Sequence, residues 1–430
     1  MSSEDIQTTL ADICTDVSYG YTESATFEEV GPKFLRITDI QGGSFDWRKV
    51  PFCPASLQDT EKYRLEVGDI VIARTGNSTG ENAQVFSPPP PAVFASYLIR
   101  FRPDIKRVNP FFVGYQLRTE RFRRHVLSVR GGSAQPGANA KQLGAFLIQV
   151  IDRNRQNEAV NTLRALDDRI TLLRETNQTL EAIAQALFKS WFVDFDPVRA
   201  KAEGRLPEGI DAATAALFPD AFDETELGLV PKGWKVEALD DIADFLNGLA
   251  LQKFPPTGQD DLPVIKIAQL RKGDTVGADL AAGSIKPEYI IKNGDVLFSW
   301  SGSLEVDIWC GGDGALNQHL FKVTSSRFEK WFCYLWTKHH LASFRQIAAS
   351  KATTMGHIQR SHLTLAKVAV PRDKILAIAN ELFTPLVNGI VENALQANTL
   401  SNLRDTLLPR LISGQLRIAD AEAELEKVMA

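Results

Sequence analysis

The chain has 430 residues and a formal net charge of −5, with 44% hydrophobic and 23% charged residues. This length and composition predict a globular protein of two or three domains, with no signal peptide and no apolar run near the ~20 residues of a membrane span. A solitary non-specific DNA binder would usually be basic, so any DNA binding must be local or helped by a partner, and four scattered cysteines favour neither a disulfide framework nor a zinc site.

The order of the segments predicts a tandem duplication. "GDIVIARTGNSTG", from Gly68, is answered by "GDVLFSWSGSLEV", from Gly294. Three more pairs keep the same order, beginning at Leu10 and Leu239, Leu35 and Ile265, and Leu143 and Leu363. The copies stay 220 to 230 residues apart throughout, as small loop deletions in a duplicated unit would produce.

Each copy is predicted to begin with strands and to end with a long helix. Short runs such as "DIVIAR", "YLIRF", "DVLFSW" and "HLFKV" are broken by Gly, Pro, Asn and Ser, which is typical of strands and turns. No Gly or Pro occurs from Ala145 to Asp196, where apolar residues recur every three to four positions. The stripe comprises Leu163, Leu166, Ile170, Leu173, Leu180, Ile183 and Leu187, with Asn177 as a register-setting polar member. Its counterpart comprises Ile375, Ile378, Leu382, Leu386, Ile390, Leu400, Leu403 and Leu407, with a kink or break expected near Pro385.

The helices predict how the two copies are joined. A helix from Arg153 to Val193 would be ~60 Å long and needs an equally long partner, which the second copy supplies. The predicted fold class is therefore α+β: two β-rich recognition domains joined by two long helices in an antiparallel coiled coil, with pseudo-two-fold duplication. Two separate helical hairpins are the alternative. Two related heads would form a bivalent reader of a split DNA sequence with an unread spacer, because duplex DNA repeats every ~34 Å.

The central segment "ALDDRITLLRETNQTLEAIAQALFKSWFVDFDPVRAKAEGRLP", from Ala165, resembles the conserved region of type I restriction–modification specificity subunits. "LGLVPKGW", from Leu227, the two Gly-Asp strands and the loops "RGGSAQPGAN" and "SKATTMGHI" are similar to that family as well. The resemblance covers essentially the whole chain. One departure is that Gln156 is present but Arg155 stands where the family usually has Glu, and the second copy lacks the pair.

The resemblance implies a non-catalytic chain in a bacterial or archaeal cytoplasm, working in host defence. Each recognition domain would read one half of a bipartite site in double-stranded DNA. The helices would set the spacer and dock two modification subunits that methylate adenine, and restriction subunits would add translocation and cleavage. No cofactor is expected in this chain, and S-adenosylmethionine, ATP and Mg are expected only in the partners. The expected divisions are 1–151 and 234–371 for the recognition domains, 152–196 and 372–416 for the helices, 197–233 for a linker and 417–430 for a tail.

The motifs of self-contained enzymes are missing from the sequence. "GNSTGENA" lacks the lysine of a phosphate-binding loop, and no HExxH occurs. "SPPPPAVF" has Ser where an amino-methyltransferase motif has Asp or Asn before Pro-Pro and an aromatic residue. We expect no catalytic residue and no metal site. The rival hypotheses are a stand-alone DNA-binding protein without enzyme partners, a self-contained nuclease or methyltransferase, and a coiled-coil scaffold.

The candidate DNA contacts are Arg, Lys, Asn, Gln, His, Ser and Thr in polar loops, the residue types that bridge bases and phosphates. In the first copy they are Arg74, Thr75, Asn77, Ser78, Arg130, Ser133, Gln135, Asn139 and Lys141. In the second copy they are Arg271, Ser301, Ser303, Lys351, Thr353, Thr354, His357, Gln359 and Arg360. Solvated loops are the alternative interpretation.

The end of the first long helix is apolar on more than one face, which predicts a docking patch for a modification subunit. The alternative is packing against the linker or against "LLPRLISGQL", from Leu407. The residues concerned are Leu187, Phe188, Trp191, Phe192 and Phe195.

Overall fold

The computed structural model describes residues 6–40, 42–43, 45–131, 136–350 and 356–416. The strands are β1 Ile6–Thr9, β2 Cys14–Tyr19, β3 Lys33–Leu35, β4 Ile70–Ala73, β5 Asn82–Gln84, β6 Ala92–Phe94, β7 Leu98–Pro103, β8 Leu147–Val150, β9 Phe222–Thr225, β10 Gly228–Pro231, β11 Lys235–Ala238, β12 Asp244–Asn247, β13 Leu262–Ile265, β14 Leu280–Ala281, β15 Ile290–Ile291, β16 Val296–Ser299, β17 Val306–Ile308, β18 Gly314–Leu316, β19 Leu320–Thr324 and β20 Lys367–Val370. The helices are α1 Pro110–Gln116, α2 Glu120–Val129, α3 Ala140–Gly144, α4 Arg153–Phe188, α5 Asp196–Ala202, α6 Ala212–Leu217, α7 Leu239–Ile242, α8 Ile267–Lys272, α9 Lys330–Ser350, α10 Arg360–Leu365 and α11 Asp373–Ile412.

The chain forms two compact units. The first unit contains the residues up to Asp168 and those from Leu400 onward, and the second unit runs from Arg169 to Thr399. Both long helices, α4 and α11, contribute residues to both units. The structure thus divides each long helix between units, whereas the sequence assigned each helix to a segment of its own.

The two units contain the same sheet twice. A four-stranded antiparallel sheet has the order β2-β7-β4-β5 in the first unit and β12-β19-β16-β17 in the second. A parallel pair, β3 with β6, is matched by β13 with β18, and an antiparallel pair, β1 with β8, is matched by β11 with β20. The predicted duplication is therefore confirmed.

The first Gly-Asp sequence makes the turn into β4. Gly68 has a φ of 95°, a conformation that side chains rarely adopt. The buried Asp69 carboxylate accepts a hydrogen bond from the backbone N–H of Glu66 at 2.8 Å. It also accepts two hydrogen bonds from Arg102 on the neighbouring strand β7, at 2.7 and 2.8 Å. The motif joins a tight turn to a cross-strand ion pair.

The second copy repeats this arrangement with other residues. Gly294 has a φ of 88°. Asp295 accepts from the backbone N–H of Lys292 at 2.8 Å and pairs with Lys322 on β19 at 2.8 Å. The chain contains the Gly-Asp sequence twice because each central strand needs this turn. The motif therefore has a structural role in both copies.

In the first unit, α4 and α11 run antiparallel. Arg155, near the start of α4, donates to the carbonyl of Gly414, just after α11 ends. Further along α4, Asp167 accepts from Arg404 Nη1 at 2.8 Å. Residue numbers therefore rise along one helix as they fall along the other.

In the second unit the helices are also antiparallel, with a polar contact at the expected place. Asn177 Nδ2 donates to the carbonyl of Ile390 at 2.8 Å, and Asn393 Nδ2 donates to Asn177 Oδ1 at 3.0 Å. The rings of Trp191 and Phe383 lie 6.2 Å apart further along. The coiled coil is confirmed, although Ile183 of the predicted stripe is exposed. Asn177 satisfies its hydrogen bonds within the helix pair, as a register-setting residue does.

In the first unit, the Asp167 carboxylate on α4 accepts hydrogen bonds from one tyrosine and two arginines. Tyr115 Oη and Arg118 Nη1 each donate to Asp167 Oδ2 at 2.9 Å, opposite the bond from Arg404. Burial, with help from the Asp167 charge, raises the pKa of Tyr115, so its hydroxyl stays protonated as a donor. This cluster ties α1 to α4.

The second unit contains a similar contact on the same helix. Tyr334 Oη on α9 donates to Glu181 Oε1 at 2.9 Å, and Lys338 donates to the same oxygen. Burial opposes ionisation of Glu181, but the Lys338 charge and the hydrogen bonds outweigh it and lower the pKa. In each unit, a tyrosine on a head helix therefore donates to an α4 carboxylate.

Of the kink or break expected near Pro385, the break is wrong, because α11 continues from Asp373 to Ile412. A proline in a helix interior removes one hydrogen bond and costs about 3 kcal/mol. Phe383 and Val387 lie on either side of it and are buried in the core of the second unit. Their packing offsets the loss. The helix is also long and apolar enough to pass a length-and-composition test for a membrane span: one 18-residue window has a mean hydropathy of 1.3, and 22% of that window is buried.

The aromatic end of α4 does not form an exposed docking patch, so that prediction is wrong. Phe188, Trp191, Phe192 and Phe195 are buried and Leu187 is half-buried. They pack in the core of the second unit with residues of α9, α11, the segment after α5 and the start of the second copy, including Phe218, Trp234, Trp331, Phe332, Trp336 and Phe383. After α4 the chain makes a π-helical turn, Lys189–Val193, which carries two of these rings, and Phe195 turns it into α5 with a φ of 56°. The linker supplies part of this cover, through Val198 and Phe218, and α9 and α11 supply another part.

Candidate nucleic-acid interface

Two polar loops meet in the first unit. The loop after β4 and the loop after α2 are joined by backbone hydrogen bonds from Gly76 to Pro136 at 2.7 Å and from Ala138 to Arg74 at 3.0 Å. We call them the first loop pair. The sequence predicted DNA contacts in both loops separately, and the structure brings them together.

The second unit joins the equivalent loops in the same way. Gly302 donates to Gly356 at 2.8 Å, and Ile358 donates to Trp300 at 3.0 Å, which connects the loop after β16 to the loop after α9. We call these the second loop pair. The same two bonds recur at equivalent positions, so the duplication extends to the predicted interface.

Beside the first loop pair, three strand ends place Tyr19, Arg74 and Tyr97 together, and we call them the first triad. Arg74 donates through Nε to the carbonyl of Ser96 at 3.0 Å, and its guanidinium lies 5.0 Å from the ring centre of Tyr19. The Tyr19 hydroxyl accepts from the backbone N–H of Ala140 at 3.1 Å, and the Arg74 N–H donates to the Tyr97 carbonyl at 3.1 Å. Tyr19 and Tyr97 are 42% and 56% exposed, so this end of the sheet presents aromatic and cationic groups to solvent.

The second triad occupies the equivalent strand ends with Asn247, Trp300 and His319. Trp300 Nε1 donates to Asn247 Oδ1 at 2.9 Å, and the Trp300 N–H donates to the His319 carbonyl at 3.3 Å. His319 Nδ1 shares a 2.9 Å hydrogen bond with Ser301 Oγ. The frame matches the first triad while all three side chains differ, which is the arrangement that two heads with different specificities require.

Several predicted contact residues have structural duties. Asn139 caps α3 by accepting from the N–H of Gln142 at 2.9 Å, and the N–H of Gln359 donates to His362 Nδ1 at 2.9 Å at the start of α10. Arg360 donates to a backbone carbonyl of β12 at 2.9 Å. The side chains of Asn139 and Arg360 and the backbone of Gln359 thus shape the loops, and the DNA contacts of all three stay predictions.

The remaining predicted residues fall into three groups. Asn77, Arg130, Lys141, Ser303 and His357 are exposed in or beside the loop pairs, and Arg271 is exposed in the last turn of α8, outside them. Thr75 and Ser78 are half-buried, and Ser301 is buried. Ser133, Gln135, Lys351, Thr353 and Thr354 lie outside the described residues.

A groove of about 770 Å³ lies next to the first loop pair. Its lining includes Asn77 from that pair and Arg123 and Arg130 from the basic stretch that forms α2. Glu81 and Glu120 line it too, so its walls carry both signs of charge. A phosphate could contact only part of this surface.

Sequence reasoning missed four members of the triads: Tyr19, Tyr97, Asn247 and His319. Each is the last residue of a strand or the residue just before one, and the sequence contains no motif around it. Their signal was positional, since the duplication aligns these strand ends. It becomes visible only when the strand orders β2-β7-β4 and β12-β19-β16 are known.

A duplicated fold with a polar loop pair and a triad in each unit defines a two-headed recognition protein. A family model described as the type I restriction modification DNA specificity domain matches residues 9–182 and again residues 231–393. The chain therefore belongs to the family of type I restriction–modification DNA specificity subunits, which are non-catalytic components of their systems.

Individual relatives agree with the family. The chain is 24% identical over 409 residues to the type I restriction enzyme HindI specificity subunit of Haemophilus influenzae, covering 84% of this chain and 89% of that protein. It is 25% identical over 318 residues to the MjaIX specificity subunit of Methanocaldococcus jannaschii, covering 72% and 69%. The crystal structure of the S subunit of a type I system from M. genitalium has the same fold, with a TM-score of 0.54, 14% identity and coverage of 95% and 96%.

Proposed function

We propose that this chain reads a split DNA sequence, with the first loop pair and first triad contacting one half and their counterparts contacting the other. The observation that carries the proposal is the exact doubling of the backbone frame with different side chains on it. Hydrogen bonds such as Gly76 to Pro136 and Gly302 to Gly356 hold the loops alike, while the side chains that face solvent diverge. Identical heads would read identical half-sites, so the divergence favours an asymmetric bipartite site.

The helices would serve as spacer and as docking surface for two modification subunits. The burial of the aromatic end of α4 removes one candidate surface. Exposed apolar residues elsewhere on α4 remain, including Leu172 and Ile183, which are separated by three helical turns and so share a face. In this proposal the modification subunits bind S-adenosylmethionine and methylate adenine in a bacterial or archaeal cytoplasm. Restriction subunits, with ATP and Mg, complete the nuclease.

The acidic net charge supports a division of labour on DNA. Phosphate contacts supply most non-specific affinity, and a chain of charge −5 provides few of them in excess. The partners would provide the rest. We therefore expect the isolated chain to bind DNA weakly at physiological salt.

The test is a map of modified adenines in cells that express this chain with its cognate modification subunit. We expect methylation at one split motif with two different halves and an unread spacer of constant length. A continuous motif would contradict the two-headed reader. Tight, sequence-specific binding by the chain alone, without methylation by the associated pair, would favour a stand-alone DNA-binding protein.

A further inference from the structure

We propose that Arg74 reads a guanine in the half-site of the first head, and that Trp300, at the equivalent position of the second head, does not. The inference rests on the proposed function and adds to it a residue, a base and an asymmetry. It follows from what holds the Arg74 side chain and from which of its donors are already used.

The guanidinium of Arg74 is held in place from two sides. Its Nε–H donates to the carbonyl of Ser96 at 3.0 Å, and its plane lies 5.0 Å from the Tyr19 ring centre. Tyr19 is itself held by the N–H of Ala140 at 3.1 Å. A side chain held in this way loses less conformational entropy when it binds.

The donors that remain suit a purine edge. Arginine has five N–H donors, and the described residues accept only the Nε–H of Arg74. The two terminal NH₂ groups form a planar fork that matches the O6 and N7 acceptors of guanine in the major groove, the commonest specific arginine contact with DNA. Arg74 also lies at the end of the sheet where the two loops of the first loop pair meet, with the exposed Tyr97 beside it.

Three other arginines of the first unit have their forks paired with carboxylates. Arg102 is paired with Asp69, and Arg118 donates to Asp167. Arg48 makes a two-point pair with Asp46, at 2.9 and 2.8 Å. These forks are already matched to acceptors within the chain, whereas that of Arg74 is oriented by a carbonyl and a ring that leave both terminal nitrogens unused by the described residues.

The equivalent position of the second head is Trp300. Its single donor, the indole N–H, is used by Asn247 Oδ1 at 2.9 Å. It therefore offers no hydrogen bond to a base, and the polar groups beside it are the imidazole of His319 and the Ser301 hydroxyl bonded to it. The two halves of the site should differ in their dependence on guanine at this place.

The experiment is a cycle that pairs a protein variant with a base analogue. The full chain is assembled with its modification subunit, and methylation rate and DNA binding are measured on the mapped site. Each guanine of both half-sites is replaced in turn by 7-deazaguanine, which lacks the N7 acceptor and keeps Watson–Crick pairing. The protein variants are Arg74→Ala, Arg74→Lys and, as a matched control, Arg48→Ala.

We expect one guanine in one half-site whose replacement weakens the native complex about 10-fold or more. The same replacement should have little further effect on Arg74→Ala, and Arg48→Ala should respond like the native chain. Arg74→Lys should restore binding only in part, because lysine lacks the planar fork.

Three results would overturn the proposal while leaving the two-headed reader intact. One is a split motif without guanine in the half-site that Arg74→Ala affects. Another is equal sensitivity of native and Arg74→Ala complexes to every analogue. The third is an Arg74→Ala complex weakened alike on all sequences, which would assign Arg74 to a phosphate. Failure of the proposed function itself looks different, since no split motif would be methylated at all.

Discussion

Substitution of Asp69 by alanine should destabilise the first unit strongly, because it breaks a buried ion pair. The Asp69 side chain is 1% exposed and its partner Arg102 is 27% exposed. Leaving one partner of a buried pair costs about 3–5 kcal/mol, and water reaching the arginine places the expected loss near 3 kcal/mol. The lost hydrogen bond from the Glu66 N–H adds about 1 kcal/mol.

Glu66→Ala is the matched control, since Glu66 pairs with the same Arg102 at 3.2 Å but is 58% exposed. An exposed pair contributes less than about 1 kcal/mol. Urea denaturation, with hydrogen–deuterium exchange of β4 and β7 to assign the change to the first unit, measures both variants. Equal losses for Asp69→Ala and Glu66→Ala would refute the assignment of the Gly-Asp motif to a structural ion pair.

Three other substitutions test the packing. Burial lowers the pKa of His340 from 6.5 to about 4, so the unfolded chain binds more protons below pH 6.5. The second unit should therefore lose at most about 3 kcal/mol of stability as the pH falls towards 4. Unfolding of the native chain and of His340→Gln at pH 7 and pH 5 checks this, and an equal loss of stability in both proteins would contradict it. Asp167→Asn should lower the stability of the first unit by about 2 kcal/mol, because two arginines and a tyrosine lose an ionised acceptor. Asp168→Asn, at the exposed neighbouring residue, should change stability by no more than about 0.5 kcal/mol. Similar melting temperatures for the two variants would count against the cluster. Phe192→Ala should destabilise the second unit by about 3–5 kcal/mol and unfold it partly or wholly. Ile183→Ser, at a residue that is 43% exposed, should leave its stability nearly unchanged. A Phe192→Ala chain that is fully stable but no longer binds the modification subunit would favour the docking patch after all.

The features that the sequence predicted correctly are periodic or repeated. The coiled-coil stripe is local, since each turn of α4 carries its own apolar residue, and Asn177 stood out because it interrupts that stripe. The duplication was visible because the order and spacing of similar segments survive sequence change. Neither prediction required knowledge of which distant residues touch.

The features that it missed depend on contacts across long separations. Asp69 and Arg102 are on neighbouring strands but far apart in the chain, so the Gly-Asp motif could not be recognised as an ion pair. The aromatic end of α4 looked exposed because its cover comes from α9 and α11, more than a hundred residues later. Pro385 was expected to break a helix because propensity carries no information about the packing of Phe383.

The triads combine both situations. Arg74 was chosen from its polar loop, but the reason it is held in place lies in Tyr19 at the end of β2 and in Ser96, in the turn between β6 and β7. The frame of the site thus follows from the duplication. Its chemistry depends on which strand ends the sheet brings together.

The most direct test of the central claim, that two independent heads read the two halves, is a comparison of modified-adenine maps for one substitution in each head. Arg74→Ala and His319→Ala are each co-expressed with the modification subunit, and the motif methylated by each is compared with that of the native chain. We predict that each variant relaxes base preference in one half only, that the halves differ, and that the spacer length is unchanged. Relaxation of the same half by both variants would contradict two independent heads.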